Sequence, residues 1–324
     1  MTIRITGTGS ALPERIMTNA DLEKIVDTSD EWIRERTGIG ARRISKGDTV
    51  ASLAAKACQN ALESAGKQAE DVDLILVATC SPEMLLPCCA CQVQSAIGAV
   101  HAVAFDLNAA CSGFLFALET AYAYITSGIY KNALVVGAEV LSKLVDWEDR
   151  STCVLFGDGA GAVYVEKSEE DNAGIISMAQ GSDGAKGMVL FCNERVVKGA
   201  PHVEEKEADT FVHMDGREVY KFATRQVPAC IVEALDKVSL KPEDIDLYIL
   251  HQANIRILES IAKHLKVDMN KFPSNLERVG NMSSAAIPVL LDELHKCGKI
   301  ERGQTIVLSG FGAGLTYGAC VMIW

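Results

Sequence analysis

The chain carries a repeat. Glu70-Asp71-Val72-Asp73-Leu74-Ile75-Leu76 returns 173 residues later as Glu243-Asp244-Ile245-Asp246-Leu247-Tyr248-Ile249. Near the ends of the two halves, Phe156-Gly157-Asp158-Gly159 is echoed by Phe311-Gly312-Ala313-Gly314. Each copy of the longer match is a polar turn feeding a short apolar run, the pattern of a strand entering a core. Helical periodicity is expected over residues 49–65, 88–97, 114–128, 220–235, 254–265 and 283–295. A short helix after Thr28-x-x-Glu31, a capping-box pattern, ends near Gly38. Strands are expected over 74–78, 100–107, 133–137, 159–166, 247–250, 305–309 and 319–323, whereas 168–210 is polar, weakly periodic and read as a connecting surface region. Helices alternating with strands, twice over, predict two similar α/β halves with mostly parallel sheets, residues 1–168 and 169–324. Either half alone would leave an apolar face uncovered, so the two are expected to pack together.

Composition narrows the class. At 324 residues, 48% hydrophobic and 23% charged, the chain matches a globular protein with a large core. No apolar run is long enough for a membrane helix, and the first dozen residues lack the features of a signal peptide. Eleven cysteines without a secretory signal point to free thiols in a reducing cytoplasm. A net charge of −12 argues against nucleic acid as a partner, since little basic surface remains to neutralise phosphates.

One cysteine stands apart. Cys111 lies between an apolar strand and a helix, in Asn108-Ala109-Ala110-Cys111-Ser112-Gly113-Phe114. Unpaired N–H groups and the helix dipole at such a junction favour a thiolate. His251 follows directly on the repeat's core strand, a position that open α/β sheets give to their sites. Asn281, in Gly280-Asn281-Met282-Ser283-Ser284, precedes another helix. Cysteine, histidine and asparagine at three element ends supply a nucleophile, an acid/base group and an oriented donor, a set suited to acyl transfer. The order Cys, His, Asn also matches a papain-like hydrolase, without the C-x-x-C-W surroundings of that family. Cys80, Cys88, Cys89 and Cys91 form a second cluster, but a metal site would want a second C-x-x-C pair or a nearby histidine.

These motifs together resemble beta-ketoacyl-acyl carrier protein synthase III, a condensing enzyme of the thiolase superfamily. The likeness runs through Asp30-Glu31-Trp32-Ile33, Arg36-Thr37-Gly38-Ile39, Ala110-Cys111-Ser112-Gly113-Phe114, Phe156-Gly157-Asp158-Gly159-Ala160-Gly161-Ala162, His251-Gln252-Ala253-Asn254, Gly280-Asn281 and Phe311-Gly312-Ala313-Gly314. It implies a thiolase-like αβαβα fold and the initiating condensation of fatty acid synthesis. Cys111 would take a short acyl group, expected to be acetyl, from coenzyme A, and malonyl on acyl carrier protein would decarboxylate and attack it. His251 and Asn281 would stabilise the malonyl enolate, and the N–H groups of Cys111 and Ala313 the acyl-transfer oxyanion.

The same resemblance implies that no cofactor is needed beyond the coenzyme A thioester as substrate. Trp32 and Arg150 would hold the adenine between them with Arg36 nearby, and Met214, Gly216 and Asn254 would line the pantetheine arm. An acidic carrier protein would dock on Arg256, Lys263 and Lys266, with Lys221 and Arg225. A homodimer is implied, Leu86 replacing the phenylalanine with which a partner subunit often closes the acyl pocket. Alanine at 313 replaces the middle of three family glycines, so its backbone must tolerate a Cβ. A ketosynthase III-like enzyme of secondary metabolism, with another primer or acceptor, has the same motifs.

Overall fold

The computed structural model describes residues 2–168, 170, 173–193 and 209–324. In the first half the chain runs β1 (Thr2–Ala11), β2 (Ile16–Thr18), α1 (Asn19–Leu22), α2 (Asp30–Thr37), β3 (Ala41–Arg43), α3 (Val50–Ala65), β4 (Leu74–Ala78), α4 (Cys89–Ile97), β5 (Val103–Leu107), α5 (Gly113–Thr126), β6 (Asn132–Glu139) and β7 (Gly159–Ser168). The second half follows with β8 (Gly174–Ser182), β9 (Leu190–Cys192), β10 (Val212–Met214), α6 (Gly216–Asp236), β11 (Leu247–Leu250), α7 (Ile255–Leu265), α8 (Leu276–Val279), α9 (Ala286–Lys296), β12 (Thr305–Gly312) and β13 (Thr316–Ile323).

Two sheets carry the fold, with strand orders β1-β7-β6-β4-β5 and β8-β13-β12-β11. Their alternation assigns the layers. On β4, Leu74, Leu76 and Ala78 join the core shared with the second sheet, while Ile75 and Val77 face the opposite way onto α3 and α4. On β12, Ile306 and Leu308 face the shared core and Val307 faces α6 and α7. Helices α5 and α9 lie between the sheets and touch both. The result is α3/α4, sheet, α5/α9, sheet, α6/α7: five layers, as the thiolase-like reading expects. Strands buried on both faces must be apolar throughout, which is why β4 and β6 read as continuous hydrophobic runs.

Three expectations need correction. The sheets are mixed: β4 pairs in parallel with β5 and β6, and β11 with β12, but β1–β7, β6–β7, β12–β13 and β13–β8 are antiparallel. Residues 174–182, read as part of a surface connection, form the edge strand β8; residues 169, 171–172 and 194–208 of that connection lie outside the described residues. The N-cap of α2 is Ser29, not Thr28: the Ser29 hydroxyl accepts from the Trp32 amide at 3.1 Å. The run Asp27-Thr28-Ser29-Asp30 before Trp32 offers several candidate caps, and the extended backbone of Ser29 selects one.

The repeat extends to backbone detail. Helices α5 and α9 begin 173 residues apart, and so do the two strained residues just before them. Ala110 and Ser283 both adopt left-handed backbone, with φ of +47° and +48°. Cys111 in one turn therefore has Ser284 as its counterpart in the other. The two turns pack directly against each other at the centre of the molecule.

Candidate active site

Cys111 sits in the single helical turn Ala110–Ser112 at the head of α5. The turn is clamped from the second half. Ser112 Oγ lies 2.8 Å from Thr316 Oγ1, and Thr316 Oγ1 also donates to the Ala109 carbonyl at 3.1 Å. Gly312 approaches so closely that a Cβ there would fall 2.6 Å from the Cys111 amide nitrogen. Only glycine permits that approach. Ala313, next in the chain, is not among the residues with positive φ, so its methyl is accommodated and its N–H is kept.

Cys111 and Ala313 line one cavity of about 460 Å³, together with Cys80, Leu144, Phe156, Leu190, Phe191, Ser283 and Thr316, among others. His251 and Asn281 are not among the residues that line it. The His251 ring meets Phe311 edge-on at 5.6 Å, and its amide donates to the Ser309 carbonyl at 2.8 Å. It is buried, its Nδ1 has no partner among the described residues, and burial lowers its pKa to about 4. The ring is therefore neutral at physiological pH. Asn281 bridges to Phe156 and accepts the Ser283 N–H on Oδ1 at 2.9 Å. That bond fixes the amide's orientation and leaves Nδ2 as the end offered to a ligand.

The thiol differs from the expected thiolate. Burial pushes the Cys111 pKa up to about 12, more than the Ser283 hydroxyl and its own backbone N–H pull it down. The charge on Glu139 pushes in the same direction as burial. At rest the nucleophile is a neutral thiol, because desolvation at this depth outweighs the favourable helix end. Glu139 and Ser283 were not singled out from the sequence. Each looks ordinary locally, and they meet only across 144 residues of chain.

Three comparisons with known proteins bear on this site. Residues 105–184 match the family model for 3-oxoacyl-[acyl-carrier-protein (ACP)] synthase III, and residues 235–324 match that family's C-terminal model. The chain is 49% identical over 323 residues to a beta-ketoacyl-[acyl-carrier-protein] synthase III of Clostridium novyi, covering 99% of each. The chain belongs to this family. The crystal structure of the synthase III of Aquifex aeolicus superposes with a TM-score of 0.93 at 44% identity, covering 99% of this chain and 100% of that one. The priming beta-ketosynthase of a polyketide biosynthetic pathway superposes at 0.92 with 34% identity, covering 99% and 96%. Membership of the synthase III family sets aside the papain-like reading of Cys111, His251 and Asn281.

The remaining expected residues fall into two places. Trp32 and Arg150 do lie together, but against each other, the guanidinium 5.0 Å from the indole centroid. Parallel stacking on both sides of a ring needs about twice a 3.5 Å contact, so no adenine fits between them as they stand. Arg150 also donates to the Asp27 carbonyl at 2.9 Å, and it must move for a nucleotide to enter. Arg36, Gly216, Asn254, Lys221 and Arg256 line one cavity of about 670 Å³ with Arg217 and Tyr220, which brings expected coenzyme and carrier-protein contacts to a single basic mouth. Asn254 is committed structurally: Oδ1 caps α7 through the Arg256 amide at 2.9 Å, and Nδ2 donates to the Arg36 carbonyl at 3.0 Å. Met214 ends β10 one step before α6. Lys263 and Lys266 on and after α7 and Arg225 on α6 are exposed but do not line that mouth, and Lys221 pairs with Glu218 at 2.6 Å. Leu86 is 86% exposed and lines no cavity of its own chain near Cys111.

Proposed function

We propose that this synthase III performs the initiating decarboxylative condensation of fatty acid synthesis through an acyl-Cys111 intermediate. The observation that carries the reading is Cys111 at the head of α5, opening on a cavity that Ala313 also lines, in a chain of this family. An acyl-coenzyme A would enter by the basic mouth, with Trp32, Arg36 and Arg150 at its nucleotide end and Met214, Gly216 and Asn254 along the arm. The acyl carbonyl would place its developing oxyanion on the N–H groups of Cys111 and Ala313. Neutral His251 and the Nδ2 end of Asn281 would then donate to the malonyl thioester oxygen as the enolate forms. A neutral imidazole and an oriented amide suit that task, since neither asks for a proton that the site would have to supply.

The acceptor in this reading is malonyl on acyl carrier protein, received by Arg256 with support from Lys221, Arg225 and Lys263. No cofactor enters the chemistry. We further propose a homodimer in which the exposed Leu86 of one subunit closes the acyl pocket of the other, and a cytoplasmic location; no helix among the described residues is long and apolar enough to cross a membrane. The likeness to a priming beta-ketosynthase of polyketide synthesis keeps a second reading in view, the same chemistry with another primer or acceptor.

The test is mass spectrometry of the intact protein after acetyl-coenzyme A and then malonyl-carrier protein, beside Cys111→Ala. One acetyl group on the native chain alone, discharged as acetoacetyl-carrier protein, is the expected result. Loading only by a larger acyl-coenzyme A would move the chain to the second reading, and no loading by any would end the proposal.

A further inference from the structure

Arg42, at the centre of β3, is wholly buried, yet its guanidinium makes no ion pair among the described residues. It donates instead to neutral acceptors. Nη1 reaches the Met17 carbonyl at 3.3 Å and Asn19 Oδ1 at 2.8 Å, and Nη2 reaches the Val154 carbonyl at 2.7 Å. Nε has no partner among the described residues. Asp30 is linked to it through Asn19, whose Nδ2 donates to Asp30 Oδ1 at 2.8 Å, and Asp30 pairs with Arg34. A buried charge held by neutral groups is costly, and an apolar side chain of similar volume would fill the space at least as well. Stability does not account for an arginine here.

Its contacts do. Residues 154–158 are fastened to β3 at both ends and to Asn281 in the middle. At the ends, the Val154 carbonyl accepts from Arg42, and the Asp158 amide donates to the Arg43 carbonyl at 2.8 Å. Between them, the Leu155 carbonyl accepts the Asn281 amide and the Gly157 amide donates to the Asn281 carbonyl, each at 2.9 Å. The arginine stem packs against the same clasp: a Cβ at Gly157 would lie 3.3 Å from Arg42 Cβ, and one at Gly280 would lie 3.1 Å from it. Gly280, the residue before Asn281, has φ of +71° and ψ of −166°, a backbone that essentially only glycine adopts. Asn281 therefore takes its place from a clasp and a glycine that both rest on Arg42. With Oδ1 committed to the Ser283 amide, the aim of Nδ2 follows that backbone.

We propose that Arg42 is a positioning residue for Asn281, fixing the clasp that aims the asparagine amide and so serving the malonyl half-reaction rather than the acylation of Cys111. A donor stabilises a developing enolate only when it is set beforehand within hydrogen-bond reach, so a shift on the order of 1 Å in the clasp lowers the rate without unfolding the chain. The turn that carries Cys111 is held by other groups, Thr316 and Gly312, and shares none of the arginine's hydrogen bonds.

The inference rests on reading Asn281 as a donor to the malonyl thioester, and its test separates the two. The variants are Arg42→Met, which keeps the stem and removes the fork, Asn281→Ala, and the two combined. Acetyl loading of Cys111 is followed by intact mass at saturating acetyl-coenzyme A. Decarboxylation of malonyl-carrier protein is measured on the acetylated enzyme, with thermal melts alongside. Arg42→Met is expected to decarboxylate about 10- to 100-fold more slowly, with loading and melting temperature close to those of the wild type. In the combined variant Arg42→Met adds nothing to the loss from Asn281→Ala, because a residue that acts through another has no effect once that other is gone. An equal loss in both half-reactions, or losses that multiply in the combined variant, would overturn the proposal. Unaltered decarboxylation in Arg42→Met beside an impaired Asn281→Ala would refute the role of Arg42 alone. Intact decarboxylation in Asn281→Ala would instead refute the reading of Asn281, and the role of Arg42 with it. Should Arg42→Met not fold, Arg42→Lys carries the comparison: one ammonium cannot span Asn19 and Val154, so the same split between half-reactions is required of it.

Discussion

At the scale of single residues, burial decides the chemistry of this site more than charge does. His251 has its pKa lowered to about 4 because the ring is desolvated. The sign follows: the unfolded chain takes up the proton first as pH falls through about 6.5, and the folded chain only near 4. Stability linked to His251 is thus complete above pH 6.5 and drains away between there and pH 4, on the order of 3 kcal/mol at most. Thermal melts from pH 4 to 7 should show this loss in the wild type and a smaller one in His251→Gln. Cys111, His251, Asn281 and Ala313 were legible in the sequence because each occupies an element end within a recognisable motif. Glu139 was not, since a glutamate closing an apolar strand announces nothing until Ser81, Ser283 and Ser284 are seen to converge on it.

Elements position these groups by close approach. Gly137 on β6 lets the Ser284 carbonyl come within 2.1 Å of where a Cβ would stand, and Gly312 on β12 does the same for the Cys111 amide. Gly312→Ala should push the turn 110–112 off the end of β12, costing about 1–3 kcal/mol of stability as overpacking and far more of the acylation rate. Ala313→Gly, at a backbone angle open to either residue, should leave both nearly unchanged; denaturant melts and acyl loading measure the contrast. The strands and helices of the layers were readable from periodicity. The antiparallel edges β1 and β8 were not, because half-exposed strands with threonine, serine and glycine give a weaker alternation than buried ones.

The whole molecule joins two halves through one shared middle layer, and the mouth lined by Arg36, Arg217, Lys221 and Arg256 is a basic surface on a protein of net charge −12. Arg256 sits on that mouth beside Lys221 and Arg217. Arg256→Glu should raise the KM for malonyl-carrier protein tenfold or more, a charge reversal at an encounter surface, while changing acetyl-coenzyme A loading much less; equal losses would place Arg256 with the coenzyme instead. Two-fold kinship of the halves was visible in the repeated heptapeptide, whereas the face-to-face meeting of their equivalent turns was not, since pairing across a middle layer leaves no local trace. Ala110 and Ser283 share one backbone conformation at one place in the repeat. Such a pair is what descent from two identical chains leaves behind when they are fused into one. In the present chain one turn carries the thiol of Cys111, and the other carries the hydroxyl of Ser284 at the matching place.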